Sequence, residues 1–117
     1  MSFRQEIDVM NSRFHAAFNK RDAAGLVADY AEDCLWLFGS KEPIRGRAAI
    51  QKAYADAIAG GLKLKSLETT HAEMDGKFGY AFSKYDGSEG PGTSLSVVTR
   101  DKKGKLVICA EAIVAAP

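Results

Sequence analysis

Residues 62–115 read LKLKSLETTHAEMDGKFGYAFSKYDGSEGPGTSLSVVTRDKKGKLVICAEAIVA, and this stretch decides the fold. Asp75-Gly76 is a tight-turn signal between a run over 62–75 and its partner over 77–86. Gly87 to Gly92 forms a flexible loop, and Lys102-Lys103-Gly104 turns the chain once more. The punctuation predicts four strands, over residues 62–75, 77–86, 93–101 and 105–115. Strands of about ten residues are long against the usual five or six and must twist and coil strongly.

The half of the chain before this stretch carries a different period. Phe3, Ile7, Met10, Phe14 and Ala17 recur every three or four residues, with Phe18 widening the stripe. That spacing predicts an amphipathic helix from Ser2 to Lys20. Asp22 is placed to cap a short second helix whose buried face is Leu26, Val27 and Tyr30. Cys34 to Phe38 reads as a short apolar strand, followed by a turn over residues 39–43. A third helix is expected over 47–59, with Ile50, Ala53, Tyr54, Ala57 and Ile58 on one face and Gly60-Gly61 closing it. Helices first and a strand meander after them argue α+β. The expected shape is a cone: a strongly curved antiparallel sheet wrapped around three N-terminal helices, in one domain spanning 1–117.

The composition excludes several classes. Sixteen Lys and Arg against fifteen Asp and Glu give a net charge of +1 over 117 residues, which leaves no electrostatic footprint for nucleic acid or an anionic membrane. No run approaches the roughly 20 apolar residues that span a bilayer. Charges near the N-terminus argue against a signal peptide, so a cytoplasmic location is expected. Cys34 and Cys109 are then reduced, buried thiols. His15 and His71, the two histidines, are too few and too separated for a metal site. His71 is expected on a polar outer stripe with Thr69 and Glu73. No metal or cofactor is expected, and neither a phosphate-binding loop nor a nucleophile elbow is present.

The order of elements resembles the nuclear transport factor 2-like superfamily, which includes ketosteroid isomerases and SnoaL-like polyketide cyclases. Four segments carry the resemblance: Phe14 to Asp22, Leu26 to Cys34, Pro43 to Ile50, and Gly104 to Ile108. The resemblance implies the cone fold, a pocket in its concavity and, in the isomerases, a carboxylate base with a tyrosine and a protonated aspartic acid as donors. Carried over by these motifs, those three positions fall on Phe14, Phe38 and Ser96. Two of them lack any ionisable or hydrogen-bonding side-chain atom, so steroid isomerisation by that machinery is not expected.

Strand alternation supplies the candidate lining. Cys34, Trp36 and Phe38 would face the concavity together, as would Ser94 and Ser96. Tyr80 and Phe82, with Lys84, would face in from the second long strand, and Cys109, Glu111 and Ile113 from the last. Glu111 is the candidate catalytic residue, because a carboxylate between two alanines on an inward face is costly unless paired and suits proton transfer when desolvated. A Glu111–Lys84 ion pair is the structural alternative. The candidate ligand-binding set is Phe14, Tyr30, Trp36, Phe38, Tyr54, Tyr80, Phe82, Ser96 and Cys109. Two functions follow. One is binding of a small hydrophobic ligand, with isomerase, cyclase or lyase chemistry on a carbonyl compound. The other is a non-catalytic module, forming a homodimer through the outer sheet face with Leu95, Val97, Val107 and Ile108.

Overall fold

The computed structural model describes residues 1–39 and 41–117; Ser40, within the expected 39–43 turn, lies outside the described residues. The chain begins with α1 (Phe3–Asn19), a short α2 (Ala23–Leu26), β1 (Tyr30–Phe38), β2 (Ile44–Arg45) and α3 (Arg47–Ala59). β3 (Leu64–Asp75), β4 (Phe78–Gly87), β5 (Gly92–Arg100) and β6 (Leu106–Ala115) follow. The expected α+β architecture is present, with a six-stranded sheet in the order β2-β1-β6-β5-β4-β3. None of the helices is long and apolar enough to cross a membrane among the described residues.

Local chemistry sets the element boundaries. Ser2 caps α1 in a reciprocal box: its hydroxyl accepts from the Gln5 backbone N–H while the Gln5 side chain accepts from the Ser2 N–H. Asp22 caps α2 by accepting from the Gly25 N–H. α3 starts at Gly46, whose φ of +105° is a conformation open to glycine and strained for other residues. The buried faces of the helices are Ile7, Met10, Ala17 and Phe18 on α1 and Ile50, Tyr54 and Ile58 on α3. Ile50 has no solvent exposure, and burying such a side chain contributes about 1.5–3 kcal/mol.

β1 is longer than expected and enters the sheet differently. It begins at Tyr30, which leaves the short helix to pair with Ile108 of β6. β1 also runs parallel to β6, while the other pairs are antiparallel. The chain crosses over through α3 and the β3–β5 meander before β6 returns beside β1, and such a connection permits parallel pairing.

Two cross-strand rows define the concave face. Trp36, Glu111, Ser96, Ala81 and Ala72 are successive partners across β1, β6, β5, β4 and β3. Phe38, Ile113, Ser94, Ser83 and Thr69 form the neighbouring row. Partners in a ladder share a face, so the residues between these rows point outward.

That parity overturns several side-chain expectations. Tyr80 and Phe82 face outward, stacking edge-on at 6.0 Å between ring centroids, and Tyr80 donates to Glu73 at 3.0 Å. Where the Phe3 and Asn11 side chains of α1 reach over β4, its inward residues are the small Gly79, Ala81 and Ser83, and the larger Tyr85 follows them on the same face. A Cβ on Gly79 would collide with the Glu73 carbonyl, the Met74 sulfur and the Phe3 ring. Lys84 faces outward with Tyr80 and Phe82, so no Glu111–Lys84 pair forms. A bulge between Thr69 and His71 breaks the expected polar stripe, since Thr69 turns inward and is buried while His71 and Glu73 stay exposed. Asn11 satisfies the inward hydroxyls, donating to Thr69 at 2.9 Å and Ser83 at 3.1 Å.

A second bulge lies in β6. Val98 pairs with Ile108 and Val97 with Ala110, leaving Cys109 as the extra residue. Ile108 and Glu111 therefore both face the concavity despite a spacing of three. Ile108 is thus a core residue, not part of the outer face, and Val107 is buried as well. Leu95, between the two concave rows, and Val97, one residue beyond the Ser96 row, face outward as expected.

Candidate functional site

The helices do not fill the cone. A cavity of about 140 Å³ remains between α1, α3 and the concave face. Its walls are largely apolar, with Phe14 and Phe18 from α1, Phe38 from β1, Leu67 from β3, and Ile108 and Ile113 from β6. The exposed lining residues Gly39, Lys63 and Glu89 mark its mouth. Lys63 and Glu89 carry opposite charges there, so the mouth has no net sign.

Glu111 stands in this cavity with a polar network around it. Its Oε1 accepts from the Tyr30 hydroxyl at 2.5 Å, and its Oε2 accepts from Ser96 at 2.6 Å. Tyr30 and Tyr54 share a further hydroxyl–hydroxyl hydrogen bond of 3.0 Å. Four elements converge: β1 supplies Tyr30, α3 Tyr54, β5 Ser96 and β6 Glu111. Ser96 reaches Glu111 because the two are direct ladder partners.

Glu111 is partly buried, and its side chain lines the cavity. Desolvation pushes its carboxyl pKa up, partly opposed by the hydrogen bonds from Ser96 and Tyr30 and by the nearby Trp36 indole. Burial likewise drives the Tyr30 and Tyr54 hydroxyls well above the usual phenol range, with the Glu111 charge adding to it. The Cys34 thiol is pushed up to about 12, first by burial and then by Glu111. These tyrosines and this cysteine stay neutral near pH 7, and Glu111 is the carboxyl group of the network, with its proton affinity raised by burial.

Trp36 stacks on Tyr54 at 5.1 Å and on Phe38 at 5.6 Å. Its Nε1 lies close enough to Glu111 and Tyr54 to draw both of their pKa values down, but in geometry it bonds to neither. Among the described residues it is the one fully buried side-chain nitrogen or oxygen left without a partner. Such a donor costs free energy until something accepts from it.

The nine expected ligand-binding residues divide accordingly. Phe14, Tyr30, Phe38 and Tyr54 line the cavity together with Glu111. Ser96 holds Glu111 from the sheet side, and Trp36 packs behind Tyr54 and Phe38. Tyr80 and Phe82 lie on the opposite face. Cys109 sits in the bulge, where its thiol donates to the Val97 carbonyl at 3.4 Å, and it is not among the lining residues. The expectation missed Tyr85 and Leu67, which also line the cavity. Tyr85 was legible in principle, since it shares inward parity with Ala81 and Ser83. Its ring packs against Gly92 in the space a Cβ would need. No cluster of three or more His, Cys, Asp or Glu side chains able to hold a metal occurs among the described residues.

An α+β cone with an apolar cavity and a buried acid is the class of protein that fold and site define. Residues 12–107 match the model of the SnoaL-like domain, and the chain belongs to that family. Among curated proteins, none matches the chain. Solved structures do share its fold. A domain of unknown function with a cystatin-like fold from Nostoc punctiforme superposes with a TM-score of 0.83 at 16% identity, covering 98% of this chain and 78% of that one. An NTF-2 like protein of unknown function from Shewanella oneidensis gives 0.77 at 15% identity, covering 95% and 98%. A ketosteroid isomerase-like protein from Erwinia carotovora atroseptica gives 0.74 at 13% identity, covering 95% of each chain.

Proposed function

We propose that this domain binds a small hydrophobic carbonyl compound in its cavity and that Glu111 moves a proton on it. One observation carries the reading: a partly buried carboxylate at the wall of an apolar cavity, held by Tyr30 and Ser96 at 2.5 and 2.6 Å. Such a group combines the two needs of a general base. It is positioned, and its proton affinity is raised toward neutrality. Glu111 would take a proton from the carbon beside the carbonyl, and the freed electron pair would move onto the carbonyl oxygen. Tyr54 would donate a hydrogen bond to that oxygen. Return of the same proton to another carbon completes an isomerisation, with no other reactant consumed.

Hydrogen–deuterium exchange at the α-carbon tests this. A bound cyclic ketone in deuterated water, followed by nuclear magnetic resonance, should exchange faster with the protein than without it. Glu111→Gln should remove the acceleration and keep the binding. Equal acceleration by the variant, or none by the native chain, would defeat the catalytic reading.

A second reading, a homodimer through the outer sheet face, has its own support. Leu35, Ala110, Val97 and Tyr80 are successive ladder partners on that face, as are Leu37, Ala112, Leu95 and Phe82. They form a continuous apolar band on a sheet face away from the helices, the kind of surface an interface covers. Sedimentation should then give twice the chain mass, falling to one chain mass on Val97→Glu. A native chain that sediments as a monomer would exclude this reading. Free Cys34 and Cys109 suit a reducing, cytoplasmic compartment.

A further inference from the structure

We infer that the cavity selects a neutral, single-ring carbonyl compound and turns away both carboxylic acids and fused polycyclic ligands. The inference rests on the ligand-binding reading above and adds the size and charge of the ligand.

Size follows from volume. The cavity holds about 140 Å³, and an apolar protein cavity of roughly 150 Å³ holds one benzene ring. A ring with one substituent fits that space, whereas a fused three- or four-ring skeleton needs several times as much.

Charge follows from what faces Glu111. β1 presents Tyr30 and Cys34, α3 presents Tyr54, and the β6 bulge carries Cys109; none of these is cationic. β5 contributes the uncharged Ser96. Asp29, a second lining acid, is already held by Arg13 at 3.0 Å and Lys105 at 3.6 Å. Lys63 at the mouth is opposed by Glu89. An anion in the cavity therefore meets a carboxylate and no unopposed cation, in surroundings where such repulsion is poorly screened. It can enter only with a proton, on itself or on Glu111. An ammonium group would have to leave water for a largely apolar cavity, and that desolvation opposes its attraction to Glu111.

The hydrogen bonds point instead to an acceptor on the ligand. The Tyr30 proton is committed to Glu111, so the bond between the two phenols is donated by Tyr54. Tyr54 is held by a neutral partner at 3.0 Å, the weakest link of the network, and its side chain lines the cavity. Its O–H is the donor that an incoming carbonyl can capture.

The test is calorimetric titration of the intact chain at about pH 8 with cyclohexane, cyclohexanone, cyclohexanecarboxylate, cyclohexylamine and a steroid ketone. Cyclohexanone should bind at least tenfold more tightly than the carboxylate, the amine or the steroid. Carboxylate binding should take up a proton and tighten as the pH falls, and Glu111→Gln should reduce that pH dependence to the ligand's own titration. Tyr54→Phe should weaken cyclohexanone by roughly five- to tenfold, the worth of one hydrogen bond, and leave cyclohexane unchanged. Carboxylate, amine or steroid binding as tight as cyclohexanone would overturn the inference while leaving the cavity reading in place. If neither cyclohexane nor cyclohexanone bound, the cavity reading itself would fall, and this inference with it.

Discussion

Replacing Glu111 with Gln should flatten the dependence of stability on pH. Unfolded, the carboxyl titrates near its ordinary value of 4.5, whereas the folded protein raises it, chiefly by desolvation. Below 4.5 both states hold the proton and the group contributes no pH dependence. As the pH rises from there toward the folded value, the native state keeps a proton that the unfolded chain has lost. Stability therefore falls, by at most about 1.4 kcal/mol per pH unit, and levels off once the folded group ionises. Gln carries no charge to desolvate. Its carbonyl can still accept from Tyr30, and the Ser96 hydroxyl can rotate to accept from its amide. Urea unfolding followed by the fluorescence of Trp36, the single tryptophan and a buried one, measures both chains across pH 4.5 to 8. The Gln variant should equal or exceed the native chain at pH 8, with the native chain regaining ground as the pH falls. Parallel profiles, or a native chain that gains on the variant as the pH rises, would refute the claim that burial dominates the Glu111 environment.

Tyr30→Phe should cost about 1.5–3 kcal/mol near pH 8, because it takes a donor from an ionisable carboxylate and the acceptor from Tyr54; the same urea titration reads it, and the cost should shrink at acidic pH. Gly46→Ala should cost about 1–3 kcal/mol, visible as a lower melting temperature, since a side chain at φ +105° is strained whatever space surrounds it. Arg13→Ala should cost about 1 kcal/mol, kept modest by the 55% exposure of that side chain. Adding Lys105→Ala should cost more than the sum of the single losses, because Asp29, 8% exposed, would then lose both salt-bridge partners.

The helices and most strand limits were legible because their signals are local. The 3.6-residue stripe of α1, the cap at Asp22 and the glycines around α3 each act within a few residues. Which way a strand side chain points depends instead on an unbroken count, and one bulge reverses it. Val107, Ile108 and Glu111 cannot be reconciled by strict alternation. The extra residue at Cys109 resolves them, and the bulge at Thr69 and His71 does the same for β3. The error at Tyr80 and Phe82 has a different cause. Large aromatics suggest the core, but where a helix lies close to a sheet the inward positions must be small. Gly79, Ala81 and Ser83 carry that signal.

The positions that the family resemblance singles out do converge, though not with the expected chemistry. Phe14 and Phe38 line the cavity, and Ser96 hydrogen-bonds the one carboxylate in the network. The acid sits directly across the ladder from Ser96, on the neighbouring strand. A direct ladder partner places its Cβ about 4.5–5.5 Å away, so a carboxylate on β6 reaches nearly the same region of the cavity as one on β5 would. A donor–acid pair is likewise present, but Tyr30 supplies the donor from the start of β1 and Tyr54 extends it from α3. Matching residue by residue along the chain therefore finds no carboxylate at those positions, while matching by position in space finds one beside them. The difference is one ladder step, and it is why Glu111 was identified from its own unfavourable setting between Ala110 and Ala112 rather than from any motif.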